Sequence, residues 1–148
     1  MVRAIIVGTD GSPTAATAVQ SAIEIAQALG ARLTIVSAYE PVPEGRLRHE
    51  RVAAPADVQW AVNPREHVLA LLQATADQAR AAGVAEVDAV ARVGDGADAI
   101  IDVAEEQSCD LIVVGNKGMT GATRFLLGSV PNKVSHHAPC SVMIVRTS

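Results

Sequence analysis

The chain has 148 residues and a net charge of −4, and it is 49% hydrophobic but only 2% aromatic. That length suits one domain over residues 1–148, with a core packed from Ala, Val, Ile and Leu. The acidic balance argues against nucleic acid as a partner, and no apolar run approaches the roughly 20 residues that cross a bilayer.

The opening Met1-Val2-Arg3 leads into an apolar run too short for a secretory signal, so a cytoplasmic protein is expected. The two cysteines, Cys109 and Cys140, each stand just before an expected strand and are read as reduced and structural. His136 and His137 are helix neighbours pointing about 100° apart, so the pair does not converge on one ion and no metal site is expected.

Ala4-Ile5-Ile6-Val7-Gly8 is a short unbroken apolar run, the pattern of a strand buried on both faces. Thr9-Asp10-Gly11-Ser12 follows, with Ser12 placed as a helix cap and Pro13 as the first helical residue. Ala15, Val19, Ile23 and Ala26 recur at helical spacing until Gly30, and Leu33 to Ala38 reads as a second strand. Glu40 to Val62 has no clear period and contains Pro41, Pro43 and Pro55, so a lid or a disordered segment is expected. Its basic cluster, Arg46, Arg48, His49 and Arg51, reads as a solvated face or as a reach toward ligand phosphates. Trp60 is placed as an anchor for this loop.

Asn63 and Pro64 restart the chain as cap and first helical residue, and Val68, Leu72, Ala76 and Ala79 form one face up to Gly83. Val87, Ala89, Ala91 and Val93 alternate with Glu86, Asp88, Val90 and Arg92, which suggests an edge strand with one wet face. A helix over 97–107 precedes a buried strand, Leu111-Ile-Val-Val-Gly115. A short helix near Val130–Ala138 and a strand at Ser141–Val145 close the pattern.

Alternation of strands and helices predicts an α/β fold with a five-stranded parallel sheet and helices on both faces. Placing the most apolar strands centrally gives the order 3-2-1-4-5. The chain then reverses between strands 1 and 4, where α/β proteins bind ligands. The loops meeting there are Gly8–Ser12 and the segment Gly115–Ser129, with its frame Gly115-x2-Gly118-x9-Gly128-Ser129. Glycine admits close backbone approach, and a helix N-terminus offers free N–H donors, so the pair of loops predicts a phosphate site. Gly94-Asp-Gly96-Ala-Asp-Ala99 fits a dinucleotide fingerprint but follows an edge strand, so it is read as a helix-start turn. The last strand is apolar on both faces yet lies at an open edge, which predicts a homodimer through residues 141–146.

Val7-Gly8-Thr9-Asp10-Gly11-Ser12, the glycine frame and Cys140-Ser-Val-Met-Ile-Val145 together resemble the universal stress protein family, over nearly the whole chain except 40–62. Leu127-Gly-Ser-Val-Pro131 with Val134-Ser135 is similar to a branch that binds cyclic AMP, while the full frame marks ATP-binding members. The resemblance implies an adenine nucleotide alpha hydrolase-like dimer with ATP as first-choice ligand and cyclic AMP next. It implies that Asp10 accepts from the ribose hydroxyls, that Thr9 and the backbone at Ala38 border the base, and that Gly8 belongs to the same nucleotide-binding set. Gly115, Asn116 and Gly118 would line the ribose and phosphate path, and Gly128, Ser129 and Val130 would donate to phosphates. Magnesium would bridge the phosphates of ATP, and Lys117 and Arg124 are candidates to neutralise them. Neither central loop holds a His or Glu to serve as a general base, so no catalytic residue is expected, although slow ATP turnover stays open. A stress-linked interaction protein that needs no nucleotide is the remaining reading.

Overall fold

The structure, a computed structural model, describes residues 1–41, 64–116 and 127–147. Its elements are β1 (Ala4–Gly8), α1 (Pro13–Leu29), β2 (Arg32–Tyr39), α2 (Pro64–Ala81), β3 (Val87–Val93), α3 (Gly96–Gln107), β4 (Leu111–Gly115), α4 (Ser129–His137) and β5 (Ser141–Val145). The strands form one parallel sheet in the order β3-β2-β1-β4-β5, as expected from the apolar pattern.

Successive strand residues point to opposite faces, and this period divides the core in two. Ile5, Val7, Leu33, Ile35 and Val113 pack under α1 and α2, through Val19, Ile23, Val68 and Leu72. Ile6, Val36, Ile112 and Val114 pack under α3 and α4, through Ile100, Val103 and Val134. β1 and β4 are covered on both sides, so they read as unbroken apolar runs and occupy the centre. Ile23 is 1% exposed in the middle of α1, and Ile23→Ala there is expected to cost about 2–5 kcal/mol.

Helix boundaries follow local chemistry. The Ser12 hydroxyl accepts from the Ala15 N–H at 3.2 Å, Pro13 opens α1, and Gly30 ends it at φ 65. Pro64 opens α2 as expected, while the proposed cap Asn63 and most of the 40–62 loop lie outside the described residues. β3 is an edge strand, but only Val87 of its alternating row is buried; Val93 at its far end is 61% exposed. An edge strand has a neighbour on one side only, so its end extends beyond the core.

The amino ends of the central strands are closed by hydrogen bonds. Asp110 Oδ2 accepts from the N–H groups of Arg3 and Ala4 at 2.8 and 2.9 Å, and these two donors hold its carboxyl below the usual range. The Asp110 N–H in turn donates to Ala4 O. The carboxyl ends are where the sheet opens.

Candidate functional site

At the carboxyl ends of β1, β2 and β4 lies a cavity of about 310 Å³, in the range of small-molecule pockets. β1 contributes Gly8 and the following Thr9 and Asp10; β2 contributes Val36 to Tyr39; β4 contributes Val114 and Gly115. Ile100 of α3 and Val130 and Pro131 of α4 complete the apolar wall. The cavity sits where the sheet order reverses, between β1 and β4.

Each wall has a local cause. After β1, the Thr9 N–H donates to Val36 O at 2.9 Å, which carries the chain across the end of β2. Gly11, at φ 83, turns it back, with its N–H on Thr9 Oγ1 and the Ser12 N–H on Asp10 Oδ1 at 2.8 Å. Asp10 is thereby fixed at the cavity rim with one oxygen committed to the turn. Gly8 is held small by Ile100: an added Cβ would stand 2.4 Å from its Cδ1.

The beginning of α4 is built differently. Its cap is Gly128, which supplies no side-chain hydrogen bond. Pro131 has no N–H, and the Asn132 N–H already donates to Gly128 O at 3.0 Å. Of the first turn, the N–H groups of Ser129 and Val130 are therefore the ones without a partner among the described residues, and they suit an incoming anion. The Gly128 N–H, expected as a third phosphate donor, donates instead to Asn116 O at 2.9 Å.

Gly8, Thr9, Asp10, Ala38, Gly115 and Val130 of the expected site do line the cavity. Asn116 stands next to it but turns elsewhere: its Oδ1 accepts from Thr147 N and Oγ1 at 2.9 and 2.7 Å, and its N–H donates to Val145 O. Gly128 and Ser129 border the cavity through α4 without lining it. Gly118, Lys117 and Arg124 lie outside the described residues, as do Arg46, Arg48, His49, Arg51 and Trp60.

Sequence reasoning did not find Tyr39, Glu40, Ile100, Pro131 or the pair Gly94 and Gly96. The Gly94–Gly96 turn is a helix start, with Asp95 accepting from the Asp98 N–H at 3.1 Å, yet it also walls the cavity. The sheet order carried the signal: a helix crossing from β3 to β4 must pass over β2 and β1. Lys133 of α4 reaches back to this turn, 2.7 Å from Asp98 and 3.3 Å from Asp95, and both carboxylates raise its pKa. Among the described residues no cluster of His, Cys, Asp or Glu has the makings of a metal site.

The sheet order and the cavity at its switch point define a doubly wound α/β protein with an open crevice where such folds hold their ligands. The model of the universal stress protein family matches residues 1–146. The chain is 37% identical over 149 residues to the universal stress protein Rv1636 of Mycobacterium tuberculosis, with 99% of this chain and 97% of that one covered. It is also 37% identical over 148 residues to a universal stress protein of Thermus aquaticus, covering 99% and 100%. A solved universal stress protein in complex with cAMP is 34% identical with a TM-score of 0.74, covering 99% of this chain and 98% of that one. The chain belongs to the universal stress protein family.

Proposed function

We propose that this protein binds an adenine nucleotide in the switch-point cavity and works as a nucleotide-dependent regulator in the stress response. The observation that carries the reading is the start of α4, a helix N-terminus that has no side-chain cap from Gly128 and whose first residues, Val130 and Pro131, wall an apolar cavity. Base and sugar would lie along Val36, Ala38, Ile100 and Val114, with Asp10 accepting from a ribose hydroxyl and the phosphate at the N–H groups of Ser129 and Val130.

Two properties favour cyclic AMP. Two N–H donors match the two free oxygens of a cyclic phosphodiester, and its single charge suits a cavity whose charged residues, among those described, are Asp10 and Glu40. The cAMP complex of a relative 34% identical over the whole chain supports the same ligand. The glycine frame Gly115-x2-Gly118-x9-Gly128-Ser129 favours ATP, whose several charges near two carboxylates would call for magnesium held by its phosphates and water. Calorimetric titration with each nucleotide, with and without magnesium, tests this. Tighter cyclic AMP binding indifferent to magnesium supports the first ligand, tighter magnesium-dependent ATP binding the second, and no heat with either overturns the reading.

The protein is further proposed to act as a cytoplasmic homodimer joined through β5. Met143 and Ile144 are 40% and 39% exposed on this edge strand, and a second copy would cover them. Among the described residues no helix is long and apolar enough to cross a membrane. Sedimentation of Ile144→Asp against the unchanged protein checks the dimer; identical sedimentation of both overturns it.

A further inference from the structure

The sheet order brings together two residues that are distant in the chain. β4 and β5 are neighbours with Leu111 paired to Ser141, so Cys109 and Cys140 stand side by side where these strands begin. Their Sγ atoms are 3.3 Å apart, and both are free thiols. A disulfide is about 2.05 Å long, so closure needs a sulfur movement of only roughly 1.2 Å. The two thiols differ in access: Cys140 is half-buried, while Cys109 is 8% exposed.

We propose that Cys109 and Cys140 form a peroxide-sensitive thiol–disulfide pair, in which Cys140 is oxidised first and Cys109 resolves it. The more accessible Cys140 sulfur attacks one peroxide oxygen; the O–O bond breaks, giving the sulfenic acid and one water. Cys109 Sγ then attacks Cys140 Sγ and the S–O bond breaks. The departing hydroxide takes the Cys109 proton and leaves as a second water. Two thiols and one peroxide become one disulfide and two waters, with two electrons passing from sulfur to oxygen. A dithiol reverses the change.

The order of events follows from the surroundings. Burial first, and then the adjacent Cys140, push the Cys109 thiol up to about 12, with Asp110 adding to the rise. Cys109 is thus protonated at neutral pH and does not compete for peroxide; it becomes a nucleophile only beside the oxidised Cys140, as its proton passes to the hydroxide that leaves that sulfur. The bond would close a ring through β4 and α4, across 31 sequence positions. Such a ring restricts the unfolded chain and favours the folded one.

The test is peroxide treatment of the whole protein, followed by intact mass and non-reducing peptide mapping. Expected are a loss of two hydrogens, a linked peptide pair carrying Cys109 and Cys140, a higher melting temperature, and reversal by dithiothreitol. In Cys109→Ala, the same treatment should leave a sulfenic acid on Cys140 that dimedone traps; in Cys140→Ser, Cys109 should stay open to alkylation after unfolding. The proposal is overturned if both wild-type thiols remain alkylatable, if Cys140 runs on to sulfinic acid without linking, or if the links join separate chains. Mapping of the wild-type chain decides the matter even if a variant does not fold.

Discussion

The beginnings of α1 and α3 differ from the beginning of α4, although all three open at the same end of the sheet. α1 is capped by Ser12 on the Ala15 N–H, and α3 by Asp95 on the Asp98 N–H. Each spends donors on its own chain. α4 has Gly128 at that position, which offers no side chain, and no other described residue caps it. Identical backbone physics thus yields two closed helix ends and one open one, and the difference lies in a single side chain per helix. The open end is the one suited to a foreign anion.

Closing α4 in the manner of its neighbours should have the largest effect. Gly128 has φ −64 and ψ 164, which other residues adopt, so Gly128→Asp would place a carboxylate on the free N–H groups. Nucleotide affinity should fall roughly tenfold to hundredfold by calorimetry, through competition for donors and charge repulsion, with helix content by circular dichroism unchanged. Asp10→Asn comes next. The amide oxygen still accepts from the Ser12 N–H, but the charged acceptor for a ribose hydroxyl is gone, and affinity should drop about tenfold. Equal loss for inorganic phosphate would remove Asp10 from ribose recognition.

Opening α1 should affect folding rather than binding. Ser12→Ala leaves the Ala15 N–H without its cap and should cost about 1 kcal/mol in urea denaturation. A large gain in anion affinity there would break the contrast, since Asp10 already occupies that turn. The smallest effect belongs to Lys133→Met, which removes the link between the acidic start of α3 and α4. The pair is solvent-screened, so a slight drop in melting temperature that vanishes in high salt is expected. Because the folded pKa of Lys133 is raised, its contribution is fully present below the unfolded value of about 10.4. It is lost as the pH climbs through the folded one. The variant should therefore differ least from the unchanged protein in strong alkali.

Much of the architecture was legible because the sheet sorts its strands by apolar coverage. Val7 and Val113 are wholly buried, and their runs hold no polar residue to face water, so β1 and β4 could only be central. Once the order was set, the crevice and Gly8, Thr9, Asp10 and Gly115 followed. Donor accounting was not legible. That the Gly128 N–H is spent on Asn116, and the Asn116 amide on Thr147, depends on contacts between segments whose approach no local pattern encodes. The Gly94–Gly96 turn was assigned correctly as a helix start, but its role as a cavity wall comes from where α3 crosses the sheet. Cys109 and Cys140 were each read as structural, although adjacency of β4 and β5 already placed them together.

Asn116 joins three strangers: its N–H meets Val145 O, its carbonyl meets the Gly128 N–H, and its side chain meets Thr147. The chain leaves this residue and returns to it at Gly128, so the glycine segment starts and finishes at one knot that also grips the carboxyl tail. Amide hydrogens of Asn116, Gly128 and Thr147 should then exchange with solvent as a cooperative unit and slow together on nucleotide addition. A probe attached beyond Thr147 would report events at α4, and an affinity tag is better placed at the other terminus.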